Sequence, residues 1–385
     1  MRRLSILGST GSIGTNTLKV VDANPDSFDI KYLTAGSNAK KLAHQTRKYQ
    51  PDAIVIADSQ KADLLSGELS KLGVEILTGR KGLLEIAGRS DVDLVVNSIV
   101  GPPGMEPTYR AVQAGNHIAL SNKESLVMAG NVIIAEARQR DIDIFPVDSE
   151  HNAIWQCLQG EEYGEVQKLI LTASGGPFRN KPAQELARVT PREALDHPTW
   201  NMGKKITIDS ATMMNKGFEL IEAHWLFGFS AENIDVLVHP QSIIHSMVEF
   251  QDGSIKAQLG LPDMKLPIQY ALFFPEHRPV QWENTNLAEI GQLTFEEPDY
   301  QKFPCLRLAK QAIKWGGTAG AILNVANDLA VHAFLNEDIK FTQIPELVEE
   351  ALNRIPITKN PDFEDIVESQ RETEKIVNKL IKKRK

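Results

Sequence analysis

Leu4-Ser5-Ile6-Leu7-Gly8-Ser9-Thr10-Gly11-Ser12-Ile13-Gly14 is the stretch on which the fold turns. A short apolar run feeds directly into glycines spaced G-x-x-G-x-x-G, and a helical apolar pattern follows through Thr17, Leu18, Val20 and Val21. Strand, glycine-rich turn and helix start form a cradle for a pyrophosphate, because unhindered backbone N–H groups at a helix N-terminus face the anion. The spacing is not G-x-G-x-x-G, so a tight connection that binds nothing is the competing reading. Its place after the first strand of an alternating series favours the cradle.

That series runs outward from the turn. Apolar strand patterns at 29–34, 53–57, 74–77 and 92–98 alternate with helical ones such as 39–49, which predicts an α/β fold with a Rossmann-like, doubly wound parallel sheet. The second strand ends in Ala35-Gly36-Ser37-Asn38, where folds selective for NADH place an acid for the ribose 2′-hydroxyl. No acid stands there, and Lys40 and Lys41 follow. A 2′-phosphate suits such surroundings, so NADPH is the expected cofactor; an exposed lysine-bearing helix face explains the same residues without a ligand. Residues 118–120 lead into Ser121-Asn122-Lys123-Glu124-Ser125, a polar knot at the C-terminal end of a strand, where open α/β sheets hold ligands. A helix cap with an exposed ion pair would suit these residues equally well.

At 385 residues, with 42% hydrophobic and 24% charged side chains, the chain is expected to form two or three globular domains with ample core. No apolar run is long enough to span a bilayer, so no membrane insertion is expected. The chain enters its first strand at once, which leaves no room for a signal or transit peptide. Cys157 and Cys305 suggest neither a disulfide framework nor a zinc site, and a cytoplasmic location fits best. A net charge of −8 argues against nucleic-acid binding, and the basic end at 379–385 reads as a frayed, solvated helix.

The strand pattern 141–147 breaks at Asp148-Ser149-Glu150, two carboxylates at spacing two. In extended backbone that spacing points both to one side, and hard oxygen donors suit Mg²⁺ or Mn²⁺. A cap on the helix beginning near Asn152 is the plainer alternative. Further on, 174–203 is a long polar insertion with Pro177, Pro182, Pro191 and Pro198, and with His197 and Trp200 near its end; this is the composition of a lid. Read as a helix, 206–222 sets Asn215, Lys216 and Glu219 on one face among Phe218, Leu220, Ile221 and Trp225, so that its polar residues line a cleft. Glu219 is a third hard carboxylate. Strand patterns follow at 236–250 and 254–259, where His239 and His245 read as structural. Helical patterns at 306–315, 319–335, 344–354 and 363–381 suggest a small C-terminal bundle.

Six motifs occur in order: Gly8 to Gly14, Ser121 to Ser125, Val147 to Asn152, Ser174 to Phe178, Met213 to Gly217 and His239 to Ser246. The series resembles the 1-deoxy-D-xylulose 5-phosphate reductoisomerase family over nearly the whole chain. The resemblance implies NADPH-dependent conversion of 1-deoxy-D-xylulose 5-phosphate to 2-C-methyl-D-erythritol 4-phosphate, with Asp148, Glu150 and Glu219 on one divalent cation. It implies Ser174, Ser210, Asn215 and Lys216 on the substrate phosphate, and Ser149 and Lys123 on the polyol. His197, Trp200 and Met202 would form the lid. Thr10, Gly11, Ser12, Ile13, Gly36, Ser37, Asn38, Asn122, Glu124 and Gly203 would meet the cofactor, with Met264 near the nicotinamide. Many members carry a lysine or arginine where this chain has Ser37. The expected division is a cofactor domain at 1–147, a catalytic domain at 148–279 with the lid at about 174–204, a linker at 280–303 and a helical domain at 304–385. The resemblance also implies a homodimer. The other readings are an NADPH-dependent dehydrogenase of the semialdehyde or homoserine type, which has no need of three carboxylates, and a dinucleotide-sensing regulator with no activity.

Overall fold

The computed structural model describes residues 1–196, 203–279 and 281–384. The first part of the chain alternates strand and helix: β1 (Arg2–Leu7), α1 (Ser12–Ala23), β2 (Phe28–Ala35), α2 (Ala39–Tyr49), β3 (Ala53–Ile56), α3 (Ala62–Leu69), β4 (Glu75–Thr78), α4 (Gly79–Ala87), β5 (Leu94–Asn97), α5 (Met105–Gln113), β6 (His117–Leu120), α6 (Lys123–Gln139), β7 (Ile144–Pro146) and α7 (Ser149–Cys157). There follow β8 (Val166–Ala173), α8 (Pro191–Ala194), α9 (Lys204–Ala211), α10 (Met214–Phe227), β9 (Ile234–Val238), β10 (Ile244–Phe250), β11 (Ile255–Leu259) and α11 (Lys265–Phe273). The last helices are α12 (Leu287–Ile290), α13 (Pro304–Trp315), α14 (Ala319–Leu335), α15 (Gln343–Arg354) and α16 (Phe363–Arg384). The chain divides into two compact units, one of Met1–Ser125, Ile133–Asn152 and Asp263–Glu283, the other of Leu126–Val132, Ala153–Pro262 and Asn284–Lys385.

The first unit is built on a seven-stranded sheet in the order β4-β3-β2-β1-β5-β6-β7, parallel throughout. Every residue of β3 and β5 is buried, which is what a sheet covered on both faces requires and why these strands read as unbroken apolar runs. The strand order reverses at β1 and β5, and the C-terminal ends of strands at such a point border the ligand crevice of open α/β sheets. α11 returns to this unit, where Arg2 donates to the Leu272 carbonyl at 2.9 Å.

The second unit has a four-stranded sheet in the order β11-β10-β8-β9, with β8 and β9 parallel and the other pairs antiparallel. Its helices α10, α13, α14, α15 and α16 share one apolar core with this sheet. The helix read over 206–222 is two helices, α9 and α10, divided at Met213, whose φ of 61° is left-handed. No glycine or proline marks that break; a bulky residue takes the left-handed turn because its side chain, 3% exposed, is held in the core. The basic end does not fray: α16 continues to Arg384, whose guanidinium meets Glu346 and Glu350 of α15 at 2.8 Å each. Within 284–303, Glu296 bridges to Val238 and Phe295 stacks on His239 at 4.9 Å. No helix among the described residues is long and apolar enough to cross a membrane.

Candidate active site

In the first unit the glycine-rich turn leaves β1 at Gly8, whose φ is +83° and where a side chain would press on Ser98 at 3.0 Å. Glycine answers both demands. A Cβ on Gly14 would come within 2.4 Å of the Gly8 carbonyl oxygen, so the helix starts hard against the turn. Ser9 fixes the turn from below: its N–H donates to the Thr34 carbonyl at 2.8 Å, its hydroxyl donates to the Gln45 amide oxygen at 2.8 Å, and its carbonyl accepts from the Gln45 amide nitrogen at 2.9 Å. At the start of α1 no side chain caps the helix from Gly11 and no acid stands in the first turn, while Gly11 and Ser12 are exposed. Backbone donors and a positive dipole end are thus presented as an anion requires.

The exit of β2 carries Gly36, Ser37 and Asn38, all exposed. Asn38 caps α2 by accepting from the Lys41 N–H. The Lys41 ammonium is committed to the turn, donating to the Thr10 carbonyl at 3.0 Å and to the Thr15 hydroxyl at 2.7 Å. Asn122 is buried and ties down the β5 exit: its amide donates to the carbonyls of Ile99 and Gly101 at 2.8 and 2.9 Å, and its oxygen accepts from the Ser125 N–H and hydroxyl. Ser125 joins Thr108, which accepts from Asn97, in a buried polar chain under the strand ends. Sequence reading missed Gln45, whose partner Ser9 is remote in the chain, and Asn97 and Thr108, which meet only because β5 and α5 pack together. Glu124 is buried beside Asn122, and Met264 stands at the start of α11.

Asp148 follows β7. α7 begins at Ser149 rather than near Asn152, so Ser149 and Glu150 are helical and not extended, and Asp148 caps the helix, its Oδ1 accepting from the Glu150 N–H at 3.3 Å. Its Oδ2 meets the Lys123 ammonium at 2.9 Å, and His151 Nδ1 lies 3.3 Å from Oδ1. Ser149 donates its hydroxyl to the Glu150 carboxylate at 2.6 Å. Lys123 and His151 are buried and the two carboxylates half-buried, an arrangement in which charges must be matched by neighbours.

In the second unit Ser174 ends the run from β8, and the Gly176 N–H donates to its hydroxyl at 3.3 Å. A Cβ on Gly176 would come within 2.6 Å of the Ser210 carbonyl oxygen, so this loop is packed on the end of α9. α10 begins just beyond, without a side-chain cap or an acid in its first turn, and with Asn215 and Lys216 in that turn. Asn215 donates to Glu219 at 2.6 Å and the Lys216 ammonium pairs with the same carboxylate, as the helical spacing predicts. Glu219 is 1% exposed and Lys216 4%. Gly203 opens α9. His239 is structural: its Nε2 accepts from the Ile243 N–H, which leaves Nδ1–H to donate to the Thr294 carbonyl at 2.9 Å. His197, Trp200 and Met202 lie outside the described residues.

The sheet order, the glycine-rich turn at its switch point and the open start of α1 are those of the dinucleotide-dependent oxidoreductases. Family profiles narrow the class. "1-deoxy-D-xylulose 5-phosphate reductoisomerase" matches residues 4–130, its C-terminal domain matches 144–227, and a further "DXP reductoisomerase C-terminal domain" matches 259–376. The 1-deoxy-D-xylulose 5-phosphate reductoisomerase of Thermoanaerobacter pseudethanolicus is 51% identical over 384 residues, covering 99% of this chain and 100% of that one. That of Chloroherpeton thalassium is 49% identical over 377 residues, covering 98% and 97%. Among solved structures, the Zymomonas mobilis reductoisomerase in complex with NADPH aligns with a TM-score of 0.93 at 42% identity over 99% of both chains. A DOX-P reductoisomerase in complex with NADPH, fosmidomycin and magnesium aligns with a TM-score of 0.94 at 41% identity, over 99% of this chain and 98% of that one. The chain belongs to the 1-deoxy-D-xylulose 5-phosphate reductoisomerase family.

Proposed function

We propose that this chain converts 1-deoxy-D-xylulose 5-phosphate to 2-C-methyl-D-erythritol 4-phosphate in the non-mevalonate isoprenoid pathway, by a retro-aldol and aldol rearrangement followed by reduction with NADPH. The observation that carries the reading is identity of 51% to a reductoisomerase over 99% of this chain, with nothing of that relative left uncovered. NADPH and Mg²⁺ are supported by relatives whose structures hold them, and Mn²⁺ is an equally hard acceptor of carboxylate oxygens.

Asp148, Glu150 and Glu219 are assigned to the cation. The donor set suits a hard cation: three carboxylates, of which the buried Glu219 is already paired with Lys216. The bound cation would supply Lewis acidity toward the ketone and hydroxyl oxygens of the substrate, where negative charge grows as the carbon–carbon bond breaks. Lys123, held by Asp148, and Ser149 orient the polyol. Ser174, Ser210, Asn215 and Lys216 hold the phosphate, a role supported by a first turn of α10 that holds Lys216 and no acid. His197, Trp200 and Met202 belong to a lid at about 174–204 whose closure excludes water, driven by binding of the phosphate that does not react. Thr10, Gly11, Ser12, Ile13, Gly36, Ser37, Asn38, Asn122, Glu124, Gly203 and Met264 hold NADPH, which supplies the hydride.

By function the chain divides into a cofactor part at 1–147, a catalytic part at 148–279, a connection at 280–303 and a helical part at 304–385. The protein acts in the cytoplasm as a homodimer. The open edge of β11, with Ile255 52% and Leu259 37% exposed, supports association. Sedimentation of the intact chain should give twice 42.7 kDa, and a monomer at working concentration would refute it. The activity is tested by NADPH consumption, expected only with 1-deoxy-D-xylulose 5-phosphate and a divalent cation together; turnover of a semialdehyde instead would favour the dehydrogenase reading.

A further inference from the structure

We infer that Lys61 is the residue by which this chain selects a 2′-phosphorylated dinucleotide. The inference rests on the NADPH reading above and adds to it a determinant from the turn after the neighbouring strand β3.

The exits of β2 and β3 are joined by backbone hydrogen bonds, from Ala57 N–H to the Ala35 carbonyl at 2.9 Å and from Asp58 N–H to the Gly36 carbonyl at 3.0 Å. The chain then makes a single 3-10 turn, Ser59–Lys61, capped by Asp58. That turn swings Lys61 back over the β2 exit, where its Nζ donates to the Ser37 carbonyl at 2.7 Å. In doubly wound folds the ribose 2′ position is read at this exit. The residues there, Gly36, Ser37 and Asn38, are uncharged and exposed, and nothing lies within 4 Å of a Cβ built on Gly36. Lys61 thus brings a cation onto this spot, in contact with Ser37, from the turn after β3, while exposed Lys40 stands in the first turn of α2.

An ammonium has three donors. One is spent on Ser37, and Asp58 Oδ2 lies 3.4 Å away, beyond close contact. The side chain is 43% exposed and so accessible to a ligand. Lys61 also offsets Asp58, the acid that would otherwise repel a phosphate at this exit. Lys41 is differently placed, with its ammonium turned inward onto Thr10 and Thr15. A surface lysine pairing with Asp58 alone would account for the ion pair, but not for the contact with Ser37.

The test is equilibrium titration of the full chain with NADPH and with NADH, in wild type, Lys61→Ala and Lys61→Arg. Loss of a charge-assisted hydrogen bond at a half-exposed site should weaken NADPH roughly tenfold in Lys61→Ala while leaving NADH unchanged. Lys61→Arg, which keeps the charge, should stay close to wild type. Unchanged NADPH affinity in Lys61→Ala, or equal weakening of NADPH and NADH, overturns the assignment. Wild type that binds neither dinucleotide defeats instead the NADPH reading beneath it.

Discussion

At the scale of single residues, burial decides what side chains can do. The chain's two thiols, 8% and 0% exposed, are pushed up by burial, Cys157 to about 11 and Cys305 to about 12. Both stay protonated near neutrality, so neither should react with iodoacetamide in the folded protein, whereas both should in urea. The sign of the pH effect follows. Above the unfolded value near ~8.5 the unfolded chain releases thiol protons that the folded chain keeps, so stability falls as pH rises from there through the folded values. A Cys157→Ala, Cys305→Ala variant should lose stability less steeply than wild type between neutral and alkaline pH; equal slopes would show that the thiols are not so shifted. Asp148 shows how far single residues were legible. Cap and candidate ligand were both readable from Asp148-Ser149-Glu150, because both depend on local spacing. Lys61 and Gln45 were not, because what singles them out is a partner far along the chain: Ser37 and Ser9.

Elements were legible where period and length agreed. The parallel strands stood out as short apolar runs between helical patterns, and α13 to α16 as long periodic segments. The division between α9 and α10 was hidden, because Met213 carries no mark of a helix end and its left-handed turn is imposed by packing. The docking of the α16 end was hidden too, since a basic run gives no hint that Glu346 and Glu350 await it. Close helix contact has a sharper signature in the structure. A Cβ on Gly320 of α14 would lie 2.0 Å from the Val127 carbonyl oxygen, a backbone atom that cannot swing aside. Gly320→Ala should therefore cost about 1–3 kcal/mol or more, read as a lower urea midpoint. Gly67→Ala in α3, where nothing lies within 4 Å, should be neutral or stabilising by about 0.5–1 kcal/mol. Equal midpoints for the two variants would contradict the close approach.

For the whole molecule, the residues proposed for the site fall in both compact units. The first carries the glycine-rich turn, Lys123, Asp148 and Glu150; the second carries Ser174, Ser210, Asn215, Lys216 and Glu219. The family was readable from six motifs in order, since reductoisomerase chemistry asks for a cofactor cradle, hard carboxylates and a phosphate site together. The cation assignment turns on Glu219, the one buried carboxylate of the three. The most direct measurement is NADPH consumption with 1-deoxy-D-xylulose 5-phosphate at limiting Mn²⁺, run in parallel on wild type and Glu219→Gln, with NADPH affinity titrated on both. The expected result is cation-dependent turnover in wild type, a fall of about a hundredfold or more in the variant, since even an outer-shell partner of a metal is worth ~10–100-fold, and equal NADPH affinity in the two. Cation-independent turnover in wild type, or wild-type rates in Glu219→Gln, would contradict the account.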